Sequence, residues 1–118
     1  MTSLTAKFPT GALINGEWIS SGPTFDVIDP ATGAVIARVP DLGPDGALKA
    51  VDAASAALPA WSAKTAKERS IILRRWFDLI TAETESLAAL MTAEQGKPLA
   101  ESRGEVAGYE GRIFDYLR

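Results

Sequence analysis

The apolar residues change period once along this chain, between Pro40 and Pro44, and that change limits the folds open to it. Upstream, short β-prone runs alternate with turn residues; downstream, apolar positions recur every three or four residues over long stretches. Strands grouped first and helices second predict short antiparallel β-hairpins followed by four helices. The first hairpin comprises residues 12–14 and 17–19 around Asn15-Gly16, the pair that accepts the positive φ angles of a type I′ turn. Two further strands, residues 25–29 and 34–39, flank Pro30-Ala31-Thr32-Gly33, where proline suits the second turn position and glycine the last. In the later strand, strict alternation directs Val35, Ala37 and Val39 to one face and Ile36 and Arg38 to the other, so one face is expected to be buried and the other largely solvated. Residues 1–11 show no period and read as an arm that is ordered only against a neighbour.

Beyond Pro44, residues 45–57 carry Leu48, Val51 and Ser55 at helical spacing with Leu58 just beyond, and Pro59 is expected to stop that helix, leaving Trp61 in a short link. Thr65-Ala66-Lys67-Glu68 has the form of a capping box, in which the Thr hydroxyl accepts from the Glu amide and the Glu carboxylate accepts from the Thr amide. The helix it opens is expected to reach Ala82, with Ile72, Trp76 and Ile80 on an apolar stripe beside Leu73 and Phe77. An aromatic pair on such a stripe reads as core, so Trp76 and Phe77 are expected to be buried. A third helix, residues 83–95, presents Leu87, Leu90 and Met91 and ends at Gly96, whose left-handed conformation can close the last turn. Pro98 can open a fourth, because the N–H it lacks has no partner at a first helical position. That helix keeps apolar positions at Leu99, Val106, Tyr109, Ile113 and Leu117. Gly104, Gly108 and Gly111 each cost it about 1 kcal/mol relative to alanine, so it depends on neighbours. Gly104 and Gly108 also leave room for another element to come close.

With 118 residues the chain suits one domain with a modest core. Its 15 acidic and 12 basic residues are interspersed and give a net charge of −3, so no basic stripe exists to follow a phosphate backbone and nucleic-acid binding is excluded. It has no cysteine and no histidine, which removes disulfides, thiolate nucleophiles, imidazole bases and the usual zinc ligands together. No apolar run approaches the roughly 18 residues of a membrane span, and residues 1–10 lack the basic and apolar regions of a signal peptide. These features point to a cytoplasmic protein without a membrane partner.

Few residues suggest chemistry of their own. Gly11 and Gly16 have the spacing of a phosphate-binding loop, but Glu17-Trp18 stands where lysine and Ser/Thr would be needed and a hairpin follows in place of a helix. Glu101 and Glu105 share a helix face at i, i+4 and could form a carboxylate pair, although solvated surface glutamates are the plainer reading. No catalytic and no cofactor-binding residue is assigned.

Five blocks, in order, carry a family likeness: Leu13-Ile14-Asn15-Gly16-Glu17-Trp18, Asp29-Pro30-Ala31-Thr32-Gly33, Leu58-Pro59-Ala60-Trp61, Thr65-Ala66-Lys67-Glu68-Arg69 and Glu94-Gln95-Gly96-Lys97-Pro98-Leu99-Ala100-Glu101. From about Ala12 to Val106 the chain resembles the aldehyde dehydrogenase superfamily, most closely its succinate-semialdehyde dehydrogenase branch. The resemblance implies that residues 1–118 are the N-terminal part of a Rossmann-like cofactor-binding domain. It implies a homo-oligomeric enzyme that oxidises an aldehyde, succinate semialdehyde or a near homologue such as glutarate semialdehyde, to its acid with NAD or NADP. Such a reaction needs a thiolate, oxyanion donors, a base and a nicotinamide site. The resemblance places these in sequence beyond the present chain, which alone is expected to be inactive. It also implies a monovalent cation, held by backbone carbonyls of the strand before the Asp-Pro-Ala-Thr-Gly turn and by the acid before Gly-Lys-Pro. In this chain those are Val27, Ile28 and Glu94, oxygen ligands of the kind hard cations prefer, with Glu94 standing where the family often carries the shorter aspartate. The alternative is a non-catalytic module that self-associates or binds a partner through exposed apolar helix faces.

Overall fold

The computed structural model describes residues 7–115, with side chains as far as residue 108. Most of the expected N-terminal arm, and the side chains of Tyr109, Ile113 and Leu117, therefore lie outside the described residues. The chain divides into two compact units, Met1–Ala63 and Lys64–Arg118.

In the first unit, β1 (Ala12–Ile14) and β2 (Glu17–Ile19) pair antiparallel with Leu13 opposite Trp18. Asn15 and Gly16 turn the chain at φ 51° and 79°, the left-handed pair a two-residue type I′ turn requires. A second antiparallel sheet is formed by β3 (Thr24–Ile28) and β4 (Val35–Pro40), each one residue off the bounds the sequence suggests. Between them, the Gly33 amide donates to the Asp29 carbonyl at 2.8 Å and the Ala31 amide to Asp29 Oδ1 at 2.8 Å. The loop thus closes over five residues, with the aspartate side chain replacing one backbone acceptor.

The register of this sheet corrects the expected alternation. Val27 faces Ala37, but Ile28 faces Val35, so Ile36 is an extra residue in β4 and the ladder shifts between Val27 and Ile28. Phe25, Val27, Ala37 and Val39 share one face, while Val35 crosses to the face of Asp26, Ile28 and Arg38 and is 46% exposed. Ile36 itself is 5% exposed and is the only large apolar side chain of this unit that is buried among the described residues. A bulge inserts one residue and so inverts the parity of everything before it.

The helix that follows, α1 (Gly43–Ser62), begins two residues before the expected start and does not stop at Pro59. Proline removes one i→i−4 bond and crowds the carbonyl of Ser55. Both residues are exposed, so water can satisfy that carbonyl. Beyond it the turn is held by the Ala63 amide donating to the Pro59 carbonyl at 3.0 Å and the Ser62 hydroxyl to the Leu58 carbonyl at 2.9 Å. Trp61 accordingly lies in the last turn of α1, not in a link. No residue of α1 is buried, and Leu48, Val51 and Leu58 are each about three-fifths exposed.

In the second unit the capping box is present in full: the Glu68 amide donates to Thr65 Oγ1 at 3.3 Å and the Thr65 amide to Glu68 Oε2 at 2.7 Å. It opens α2 (Ala66–Ala82). Helix α3 (Thr84–Gln95) ends at Gly96, φ 73°, whose amide donates to the Thr92 carbonyl at 2.8 Å. Helix α4 (Leu99–Asp115) starts one residue after Pro98, whose carbonyl accepts from Ser102.

Helices α3 and α4 meet through small residues. Ala88 and Ser102 are fully buried and Val106 is 4% exposed, while the Thr92 and Ser102 hydroxyls hydrogen-bond at 2.8 Å. On the flank, Arg103 forms a two-pronged pair with Glu85, Nε to Oε1 at 2.9 Å and Nη2 to Oε2 at 2.8 Å. Gly104 and Gly108 are exposed, and among the described residues nothing lies close to where their side chains would be. The burial expected of Trp76 is not found: it is 55% exposed, and Phe77 is half-buried with Arg74 stacked 5.0 Å above its ring.

Candidate functional site

The proposed ligand residues fall in two places. Val27 and Ile28 are adjacent on β3, at the step where the register against β4 shifts. In a regular ladder successive carbonyls alternate between the partner strand and the opposite edge, and a bulge interrupts that order. Val27 is half-buried and Ile28 is 43% exposed, so this backbone is not sealed in a core. One residue before them, Asp26 accepts from Arg38 Nε across the strands at 2.8 Å, an exposed pair that fixes the register without contributing much stability. Beside β4 lies an open pocket of about 440 Å³ lined by Thr10, Val35, Ile36, Ala37 and Arg38.

Glu94 belongs to the second unit, in the last turn of α3 immediately before the Gln95-Gly96 helix end. It is exposed and takes no part in the ion pairs among the described residues. Lys97, three residues on, is paired with Glu105 on α4. That pairing also argues against the carboxylate dyad: Glu105 is engaged by lysine, and both Glu101 and Glu105 are exposed. No group of three or more His, Cys, Asp or Glu side chains able to hold a metal by themselves occurs among the described residues.

The Gly11 to Gly16 segment consists of β1 and its turn, so it offers no helix N-terminus to a phosphate. Perturbed titrations lie elsewhere and have structural causes. Glu68 is held below the usual carboxylate range first by the backbone hydrogen bond from Thr65 and then by its hydroxyl. Glu85 is lowered by its hydrogen bonds from Arg103, whose own titration is raised in return. Neither carboxylate sits in a cleft, so neither has the environment of a catalytic acid or base. The bulge is the feature that reading the sequence missed. Its signal was the unbroken apolar run Ala34-Val35-Ile36-Ala37, which no single face of a strand can accommodate.

Residues 18–117 match the model of the aldehyde dehydrogenase family, past Val106 where the motif likeness ends. The chain is 55% identical over 102 residues to a glutarate-semialdehyde dehydrogenase of Pseudomonas putida and 53% identical over 102 residues to an NADP-dependent succinate-semialdehyde dehydrogenase of Escherichia coli, in each case 85% of this chain and 21% of the relative. A crystal structure of an aldehyde dehydrogenase from Brucella melitensis biovar abortus superimposes with a TM-score of 0.87 at 48% identity, covering 96% of this chain and 24% of that one. The chain thus spans about a fifth of the length of the curated relatives it matches. Among the described residues no helix is long and apolar enough to cross a membrane. An α/β chain of two hairpins and four helices, matched over 100 of its residues and superimposable on a solved dehydrogenase, belongs to the aldehyde dehydrogenase family.

Proposed function

We propose that residues 1–118 form the N-terminal part of the cofactor-binding domain of an NAD(P)-dependent enzyme that oxidises the semialdehyde of a short dicarboxylic acid, succinate or glutarate semialdehyde, to the diacid. The observation that carries this reading is the nearly equal likeness to a glutarate- and a succinate-semialdehyde dehydrogenase. The same reading makes the enzyme a cytoplasmic homo-oligomer. These residues contribute scaffold: without cysteine or histidine they supply neither the nucleophile nor an imidazole base, and among the described residues the one strand that runs directly into a helix, β4 into α1 through Asp41-Leu42-Gly43, lacks the Gly-x-Gly-x-x-Gly spacing for dinucleotide phosphates.

Within that scaffold the carbonyls of Val27 and Ile28 and the carboxylate of Glu94 are proposed ligands of a monovalent cation in the intact enzyme. All three donors are oxygens, the carbonyls lie at an irregular step of the sheet, and Glu94 has no ion-pair partner among the described residues. A bound cation would offset the Glu94 charge.

The test of function is a spectrophotometric assay of the intact gene product with succinate and glutarate semialdehyde, each with NAD and NADP. Reduced cofactor is expected with at least one pair, and none from the 118 residues alone. A gene product inactive on both aldehydes overturns the substrate class. Turnover by the purified 118 residues overturns the scaffold role. The exposed apolar stripes of α1 and α2 favour a second reading, a non-catalytic binding module, and an intact gene product without any aldehyde-oxidising activity would favour it.

A further inference from the structure

Among residues 7–108, three places put a carboxyl or carboxamide side chain directly before a glycine: Asn15-Gly16, Asp45-Gly46 and Gln95-Gly96. In each the glycine nitrogen is within ring-closing reach of the preceding side-chain carbonyl carbon, and glycine has no Cβ to hinder its approach. Local structure decides which nitrogen is available. The Gly46 amide donates to the Leu42 carbonyl at 3.1 Å in the first turn of α1, and the Gly96 amide donates to the Thr92 carbonyl at 2.8 Å in the cap of α3. Gly16 lies outside the ladder that pairs Ile14 with Glu17, and its amide makes no hydrogen bond among the described residues. Asn15 and Gly16 are both exposed, and nothing beyond the chain neighbours lies within 4 Å of where a Gly16 side chain would begin. The turn holds Asn15 at φ 51°, so ring closure requires it to open. Its strands are three residues each, with Leu13 and Trp18 more than half exposed, and a two-stranded hairpin of that size is marginal in water. Such an element opens locally at small cost.

We propose that Asn15 is a site of spontaneous deamidation and that its product releases the β1–β2 hairpin. The Gly16 nitrogen attacks Asn15 Cγ, a C–N bond forms, and the side-chain nitrogen leaves as ammonia with the proton that Gly16 gives up through water. Water then adds to one of the two carbonyls of the succinimide and reopens the ring to an aspartyl or an isoaspartyl residue. The net change is hydrolysis of one carboxamide, with water the sole co-reactant and nothing oxidised or reduced. The product places a new negative charge two residues from Glu17. In the isoaspartyl form the main chain also runs through the side-chain methylene, so the loop no longer has the two-residue backbone a type I′ turn demands. None of this depends on the reaction the intact enzyme performs.

In the experiment the intact gene product is held at mildly alkaline pH and physiological temperature, digested in acid, and followed by mass spectrometry with electron-transfer fragmentation, which distinguishes isoaspartyl from aspartyl residues. Position 15 is expected to convert at least tenfold faster than Gln95, with the isoaspartyl form in excess, while Asp45 gains no isoaspartyl form. In the acidic fraction of the aged protein, isolated by anion exchange, amide hydrogen exchange at Ile14 and Glu17 is expected to be at least tenfold faster than in fresh protein. Asn15→Gly retains a glycine pair suited to the turn, and ageing should leave its exchange unchanged. Conversion at position 15 no faster than at Gln95, or an exclusively aspartyl product, overturns the attack by Gly16. Exchange at Ile14 and Glu17 that ageing does not alter, or that rises equally in Asn15→Gly, overturns release of the hairpin.

Discussion

Removing the Ser102 hydroxyl tests whether α3 and α4 are held by the contact described. Ser102 is fully buried and its hydroxyl hydrogen-bonds that of Thr92 at 2.8 Å, so Ser102→Ala deletes the bond and leaves a partly buried Thr92 hydroxyl without it. A neutral hydrogen bond contributes about 1 kcal/mol net, and a stranded buried hydroxyl costs a further amount of similar size. Helical serine and threonine can recover part of this by bonding the carbonyl four residues back, which places the expected destabilisation at about 1–2 kcal/mol. Thr92→Val, which keeps the shape and removes the hydroxyl, should cost a similar amount by stranding Ser102. The double variant has nothing left unpaired, so its cost should fall below the sum of the single costs by about 1 kcal/mol. Urea unfolding followed by far-UV circular dichroism measures all four corners of the cycle. Costs that add to within about 0.3 kcal/mol would show that the two hydroxyls are not coupled, and would refute the packing described for α3 against α4.

Gly96→Ala should destabilise the chain by about 1–2 kcal/mol, because φ 73° places a Cβ against the following carbonyl; an unchanged urea midpoint would contradict the left-handed cap. Glu85 and Glu68 both have folded-state titrations below the usual 4.5, so their contribution to stability is complete above that value and is lost as pH falls through the lowered values. Arg103→Gln should therefore raise the Glu85 titration in NMR and flatten the acid side of the stability profile, and an unmoved Glu85 resonance would exclude the pair in solution. In the intact enzyme, Glu94→Gln should weaken any dependence of thermal stability on monovalent cations, whereas an unaltered dependence would remove Glu94 from the proposed ligand set.

The local elements were legible in the sequence wherever neighbouring residues settle them. Asn15-Gly16 fixed the first hairpin because positive φ at two successive positions suits few other pairs, and Thr65 with Glu68 fixed a helix start because both partners of the capping box lie within one turn. Gly96 and Pro98 marked the α3–α4 break for the same reason. Tertiary structure decided the rest. Pro59 costs α1 one hydrogen bond and crowds the Ser55 carbonyl, but both residues are exposed, so that carbonyl can turn to water and α1 continues through Pro59 to Ser62. The bulge at Ile36 is set by cross-strand register, which period alone does not encode, and it moved Val35 to the other face. Trp76 has the spacing of a core residue, but burial depends on what packs against the stripe, and within these described residues nothing covers it fully.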